Sequence, residues 1–257
     1  MHKTTILIPI LEVNDNNRSY FKECIGSIKT QKDKNFYVQF VGPEYSKEIQ
    51  ELTSGIENCL PFLINDSGKI DYASQINFAS AKVQTEYFSV AQMDDTMFPN
   101  HVQNINIYTA AYPTLDCFNP LVYEVGPNDE VIGFSNETIW AAGNMERFGY
   151  FDLAKTKERA FYNFNINCFT VKTDVFQKSG MLKPSLKKFG DYEFLLRLLN
   201  LGKKVFVIPK MTYKHYNGIT GSIHDLQKDM DDLEKKHWYN TSRKEYFFDF
   251  DREITYS

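Results

Sequence analysis

The first hundred residues alternate between short apolar runs and amphipathic segments, and this alternation constrains the fold more than any other feature. Four runs rich in β-branched and aromatic residues indicate buried strands: residues 4–11, 35–41, 59–65 and 86–93. Three segments between them carry apolar side chains at helical spacing: residues 20–31, 46–56 and 71–84. Strands and helices that alternate in this way predict an α/β fold with a mostly parallel central sheet flanked by helices.

The rest of the chain is less regular. No clear periodicity runs from about residue 100 to 165, but a helix is predicted over residues 190–202 and a strand over 203–216. The last 35 or so residues hold another helix and an aromatic, acidic tail. Because no repeat or low-complexity linker divides the chain, we predict one domain over residues 1–222. The helix and tail in residues 223–257 are expected to pack on it.

Composition excludes several classes of protein. The net charge is −4, so a nucleic acid is not the default partner. The four cysteines lack the spacing of a zinc site, and the N-terminus lacks a signal-peptide pattern. The first apolar run is too short to span a bilayer, so a cytoplasmic location is expected. Phosphate-loop, zincin and serine-hydrolase motifs are absent from the sequence.

Two adjacent carboxylates, Asp94 and Asp95, follow directly after the fourth predicted strand. Strand ends of α/β proteins are where ligands bind, and Mg²⁺ or Mn²⁺ in phosphate chemistry often takes only one or two protein carboxylates. The alternative is structural, since one acid could cap a helix that starts near Pro99 while the other is solvated. The local sequence leaves both interpretations open.

Two further side chains are candidates with structural alternatives. Asp191 opens the predicted helix of residues 190–202, where it could act as a general base or serve only as the helix N-cap. His215 follows a strand and precedes glycine and hydroxyl residues, so it could reach a metal or a diphosphate. A histidine at the end of an aromatic strand is more often structural.

The order of these elements resembles the family 2 glycosyltransferases of the GT-A fold, a Rossmann-like α/β architecture. Residues 4–11 and 20–31 resemble that family's first strand and helix, and residues 76–95 resemble the stretch that leads into its acidic metal motif. Residues 171–209 resemble its acceptor-side segment. The likeness covers residues 4 to 222, with the middle third poorly matched and the tail unmatched.

The resemblance implies an inverting transfer of a sugar from a nucleoside-diphosphate donor to a hydroxyl, with Mn²⁺ or Mg²⁺ as cofactor. Asp94 and His215 would hold the metal, and Asp191 would be the catalytic base. Eight residues are implied on the donor side: Pro9, Glu12, Glu44, Asn77, Gln92, Asp95, Thr220 and Ser222. Two more, Lys172 and Arg197, are implied on the acceptor side. The acceptor would be a saccharide of a surface glycan, and UDP is the default nucleotide.

The sequence departs from the family pattern at several of these positions. Gln92 stands where the acidic motif usually begins with Asp, and Gly42-Pro43 replaces an acidic pair after the second strand. Ile76 replaces the usual Arg before Asn77.

Two rival hypotheses therefore remain. In the first, the same sugar transfer acts on a modified base of viral DNA. A basic strip would favour this acceptor, and it would be formed by Lys172, Lys183, Lys187 and Lys188. The other is a non-catalytic protein that binds a nucleotide or sugar. The oligomeric state is open.

Overall fold

A computed structural model describes residues 3–69, 71–136, 168–218 and 231–247. Seven helices lie in these ranges: α1 (Arg18–Lys29), α2 (Lys47–Thr53), α3 (Tyr72–Ser80), α4 (His101–Ala111), α5 (Thr173–Lys178), α6 (Gly190–Asn200) and α7 (Asp232–Phe247). The same ranges contain nine strands: β1 (Thr4–Pro9), β2 (Tyr37–Gly42), β3 (Leu63–Ile64), β4 (Tyr87–Val90), β5 (Thr96–Met97), β6 (Cys117–Val125), β7 (Val131–Ser135), β8 (Thr170–Lys172) and β9 (Val205–Tyr216).

The strands form one sheet in the order β3-β2-β1-β4-β8-β6-β9-β5, with β7 paired to β6. The half built from β1 to β4 is parallel, as the alternating pattern predicts. The other half is mixed: β8 runs antiparallel to both β4 and β6, whereas β6 and β9 are parallel. The predicted α/β class is confirmed, with a parallel N-terminal half and a mixed C-terminal half.

The core lies on both faces of the sheet. Along β1, Ile6 and Ile8 pack in a cluster with α1, α2 and α4, whereas Leu7 faces the opposite cluster with α3, α5 and α6. Successive side chains of a strand point to opposite faces, so a strand covered on both faces is apolar throughout. This explains why the first predicted strand reads as a continuous apolar run.

Helix α7 packs on α6. The ring of Tyr239 stacks on Tyr192 with centroids 5.6 Å apart, and the hydroxyl of Tyr246 donates a hydrogen bond to Glu193. The structure has a helix over Asp232–Phe247 that contacts the domain. Residues 219–230, which hold most of the helix predicted from apolar positions 223 to 233, and residues 248–257 lie outside the described ranges. Among the described helices, none is long and apolar enough to cross a membrane.

Candidate active site

The acidic loop, which we define as residues 91–95, leaves the sheet at the carboxyl end of β4, beside the end of the parallel strand β1. After the loop, β5 pairs with β9, which carries His215. Both carboxylates are buried, with Asp94 8% and Asp95 1% exposed. The N-cap of α4 is Asn100, so neither acid caps that helix. The capping alternative for these two acids is wrong.

Asp95 is held by three partners from β9. Its Oδ2 accepts a hydrogen bond of 2.8 Å from the hydroxyl of Tyr213, and its Oδ1 accepts one of 3.0 Å from the backbone N–H of Tyr216. The Nδ1 of His215 lies 3.0 Å from both carboxylate oxygens. The carboxylate raises the pKa of His215 to about 9, against the opposing effect of burial. Asp95 therefore joins the acidic loop to the end of β9.

Asp94 has a different environment. Its carboxylate has no hydrogen bond or ion pair to another side chain among the described residues. Burial, and the neighbouring charge of Asp95, raise its pKa to about 7. The charge of His215 opposes this rise only in part, so the ionised carboxylate is costly to bury, and a bound cation would relieve that cost.

The side chains present fit a divalent cation in phosphate chemistry. Asp94 supplies a hard oxygen, and the bond of His215 Nδ1 to Asp95 matches the carboxylate–histidine arrangement common behind metal ligands. Within the described ranges, no group of three or more His, Cys, Asp or Glu side chains could hold a metal ion. Two protein ligands suit an ion that takes its other ligands from phosphate oxygens and water.

Gln92 occupies the first position of the acidic motif and is fixed through its backbone. Its N–H donates to the hydroxyl of Tyr213 over 3.0 Å, and its carbonyl accepts a hydrogen bond from Cys24 Sγ at 3.6 Å. Tyr213 thus contacts the acidic loop at both Gln92 and Asp95, although it lies about 120 residues away in the chain. No local sequence pattern indicates this contact.

Asp191 lies in the first turn of α6, one residue after the helix begins at Gly190. The N-cap is Phe189, whose φ of 60° is left-handed, so Asp191 is not the cap that the structural alternative required. Burial raises the pKa of Asp191 to about 7. A carboxylate with such a pKa is suited to exchange a proton near neutral pH.

Tyr72, the first residue of α3, lies within the electrostatic reach of both acidic positions. The charges of Asp191, Asp95 and Asp94 all raise the pKa of its phenol, after the larger effect of burial. Its ring packs on the core cluster that α6 shares, and Asp71 caps α3 by accepting from the N–H of Ser74. The charges of both acidic positions therefore act on Tyr72, an effect that the sequence did not indicate.

The predicted donor-side residues of β1 and β2 lie at the carboxyl ends of these strands. Pro9 ends β1, and Glu12 and Glu44 follow β1 and β2 as exposed side chains. Gly42 ends β2 where the backbone of Ile10 comes close, since a Cβ at this position would lie 2.4 Å from the Ile10 carbonyl oxygen. A glycine therefore occupies the position of the acidic pair for a steric reason.

Three predicted site residues are engaged in contacts within the fold. The amide of Asn77 exchanges two hydrogen bonds with the backbone of Leu182. Arg197 binds the carboxylate of Glu193 and the carbonyls of Ser179 and Met181. The Nζ of Lys172 donates to the carbonyl of Pro113. These contacts give the three side chains structural roles. Thr220 and Ser222 lie outside the described residues.

Three of the four lysines of the predicted basic strip have acidic neighbours. Lys172 lies beside Pro113 and Asp116, and Lys183 pairs with the buried Glu193 at 2.8 Å. Lys187 approaches Glu234 on α7, at 3.9 Å. The strip that would have favoured a nucleic-acid acceptor is therefore interrupted by acidic partners.

Comparisons with known proteins agree with this architecture. No family model matches the chain. An uncharacterized glycosyltransferase of Rickettsia typhi is 24% identical over 227 residues, which cover 87% of this chain. The chain spans 64% of that relative's length, slightly under two thirds.

Solved structures share the fold at low identity. TarS of S. aureus, residues 1–349, superposes with a TM-score of 0.62 at 14% identity, covering 95% of this chain and 72% of that one. The mannosyltransferase PcManGT of Pyrobaculum calidifontis, in complex with GDP-Man and Mn²⁺, gives a TM-score of 0.59 at 12% identity, covering 84% and 58%. TarS 1–349 has also been solved with UDP-GlcNAc. These likenesses confirm the resemblance found in the sequence, and the chain has the GT-A fold of the glycosyltransferases.

Proposed function

We propose that the protein is a metal-dependent enzyme of the family 2 type, which transfers a sugar from a nucleoside-diphosphate sugar to an acceptor hydroxyl with inversion. The acceptor is a saccharide of a surface glycan. The observation that carries this proposal is the buried Asp94 at the carboxyl end of β4, beside the bonded pair of Asp95 and His215, together with the pKa of about 7 of both Asp94 and Asp191. Strongly perturbed carboxylates occur most often at active sites.

The carboxyl ends of β1 and β2 form the donor side. In this proposal, Glu12 and Glu44 flank the nucleotide, and the close approach of Gly42 to Ile10 sets the shape of the floor. The solved relatives with UDP-GlcNAc or GDP-Man support a nucleotide-sugar donor. UDP remains the default nucleotide.

Asp94 and His215 would hold Mn²⁺ or Mg²⁺ against the donor diphosphate, with Asp95 orienting the imidazole. The relative solved with Mn²⁺ supports this cofactor. When bound, a divalent cation stabilises the negative charge that develops on a leaving diphosphate.

Asp191 supplies the proton acceptor. The acceptor oxygen forms its bond to the anomeric carbon as its O–H proton moves to a carboxylate oxygen of Asp191. The bond from the anomeric carbon to the diphosphate oxygen breaks, and its electron pair leaves with the nucleoside diphosphate. Attack on the face opposite the leaving group inverts the anomeric carbon. The raised pKa makes Asp191 a better base than an exposed aspartate would be.

A panel of nucleotide sugars tests the proposal. The protein is incubated with Mn²⁺ or Mg²⁺ and each donor, and the nucleoside diphosphate released by slow hydrolysis is measured. We expect release with one nucleotide class, and a loss of about 10²-fold or more in Asp94→Asn, as for removal of a group that stabilises transition-state charge. The exposed pair Lys178 and Asp174 offers a matched control in Asp174→Asn.

Two outcomes would contradict the proposal. Absence of both hydrolysis and thermal stabilisation with every donor would favour the non-catalytic binding protein instead. Release that is unchanged in Asp94→Asn and insensitive to a chelator would remove the metal from the mechanism while leaving the transfer reaction.

A further inference from the structure

Tyr213 links the acidic loop to the strand that carries His215. It lies on β9, opposite Met97 of β5, and its side chain is completely buried. Its hydroxyl donates to Asp95 Oδ2 at 2.8 Å and accepts from the N–H of Gln92 at 3.0 Å. A phenolic hydroxyl has one proton to donate, so the direction of the first bond is fixed once the Gln92 N–H is the donor of the second.

We call Tyr213, Asp95 and His215 the clasp. In this group, Asp95 accepts from the hydroxyl of Tyr213, from Nδ1 of His215 and from the N–H of Tyr216. All of these groups are buried, so each bond is made away from competing water. Because β9 supplies every donor, the clasp fixes the loop and the strand relative to each other.

The clasp anchors the backbone around Asp94. Asp94 lies between two anchored residues. The N–H of Gln92 is bound to Tyr213, and the carboxylate of Asp95 is bound by Tyr213 and His215. Its own carboxylate has no side-chain partner in the described part of the chain. The backbone on both sides of Asp94 is therefore anchored, while its side chain remains available to a ligand.

This arrangement also explains how Gln92 can replace the acid that family 2 glycosyltransferases usually have at this position. The loop is anchored at this position through the backbone N–H and the carbonyl, which accepts from Cys24. A backbone anchor does not depend on the charge of the side chain. The loop can thus keep its shape with glutamine at position 92.

We propose that Tyr213 is a positioning residue of the metal and diphosphate site. Its hydroxyl holds Gln92 and Asp95 so that Asp94 and His215 face the same ligand. The inference rests on the proposed function and assigns to Tyr213 a role that acts through the acidic loop. Tyr213 itself needs no contact with substrate.

The test is Tyr213→Phe, which removes one oxygen and retains the ring. The control is Tyr87→Phe, also a buried tyrosine, which lies at the opposite end of β4 from the acidic loop. Mn²⁺ binding is measured by electron paramagnetic resonance of the free ion, with and without UDP, well below the melting temperature of each variant. Residues that orient metal ligands typically change metal affinity by about 10- to 100-fold, so we expect at least about a tenfold rise in the Mn²⁺ dissociation constant for Tyr213→Phe. Tyr87→Phe should bind Mn²⁺ as the wild type does.

Kinetics separate positioning from simple destabilisation. Tyr213→Phe should raise the KM for the donor and the Mn²⁺ concentration needed for half-maximal rate, and saturating Mn²⁺ should restore much of kcat. A lower Tm with unchanged Mn²⁺ affinity and unchanged KM would overturn the inference and leave Tyr213 a structural residue. If Tyr213→Phe does not fold, Asp95→Asn probes the same clasp, and an unchanged Mn²⁺ affinity in that variant would overturn the inference. A wild type that binds no Mn²⁺, alone or with UDP, would overturn the metal site of the proposed function itself.

Discussion

The acidic loop and the first turn of α6 each contain two carboxylates with opposite environments. In the loop, Asp95 has three partners from β9, whereas Asp94 has no side-chain partner among the described residues. On α6, Glu193 accepts from several side chains, whereas Asp191 is desolvated with a pKa raised to about 7. In both regions one acid is held by hydrogen bonds that stabilise the fold, and a nearby acid without such bonds in the described part of the chain is left for chemistry.

The buried charge of Glu193 is compensated by two cationic side chains and a hydroxyl group. Its carboxylate is 2% exposed and contacts Lys183 at 2.8 Å, Arg197 at 2.8 Å and the hydroxyl of Tyr246 at 2.6 Å. Arg197 in turn donates to the carbonyl of Met181. This network joins α6 to α7 and to the segment after α5. A buried charge with such partners is stable but cannot bind a substrate.

The largest effect is expected from Asp191→Asn. Loss of the proton acceptor should lower kcat by about 10³-fold, within the range typical of a general base, and should not lower the Tm, because a neutral amide is less costly to bury than a carboxylate. Rates are measured as nucleoside diphosphate release with acceptor present, and stability by thermal unfolding. A kcat near that of the wild type would exclude Asp191 as the base.

Glu193→Gln should give the opposite result, a loss of stability with little direct effect on chemistry. Removal of one partner of a buried ion pair typically costs about 3 kcal/mol or more, since the remaining charges stay buried without compensation. The free energy of unfolding is measured in urea, and kcat well below the Tm. If Glu193→Gln kept its stability and lost its activity, the comparison between the two acids of α6 would be wrong.

The contrast between these acids was only partly predictable. An apolar strand followed by two carboxylates was enough to place Asp94 at a strand end, because strand periodicity is a local property. Which of Asp94 and Asp95 is compensated depends on Tyr213 and His215, about 120 residues away, and on the pairing of β5 with β9. No local pattern carries that information.

The resemblance also implied binding roles for residues that the structure shows in contacts within the fold, and these contacts again join distant parts of the chain. Asn77 and Arg197 have the residue types expected of binding groups, yet both bind backbone groups near residues 179–182. Polar side chains in helices are equally suited to bind a ligand or a neighbouring loop. Only the fold distinguishes the two uses.

The pH dependence of the rate and of the stability should reveal the raised pKa of Asp191. Because the pKa of Asp191 is about 7, its basic form is lost as the pH falls through 7. With saturating Mn²⁺, which would keep Asp94 ionised, kcat/KM should therefore fall about tenfold per pH unit below that value. Stability should change in the opposite direction. The folded state binds this proton more tightly than the unfolded state, so the contribution of Asp191 to the free energy of unfolding increases as the pH falls from 7 to 4. Comparison of Asp191→Asn with the wild type isolates that contribution, and identical stability profiles would contradict the raised pKa.

The smallest effect is expected from Tyr72→Phe, which tests whether the two regions share one cleft. The charges of Asp191 and Asp94 act on the phenol, and its raised pKa keeps it protonated, so it can donate a hydrogen bond to a substrate oxygen but cannot act as a base. Loss of one such bond to an uncharged group should cost about 1 kcal/mol, or roughly a fivefold fall in kcat/KM, with the slope of the pH profile unchanged. Because removing the phenol changes the surroundings of both carboxylates, the midpoint of that profile should shift slightly, and kinetics from pH 5 to 9 measure both quantities. A variant with wild-type kcat/KM and an unshifted midpoint would place Tyr72 outside the cleft and separate the acidic loop from Asp191.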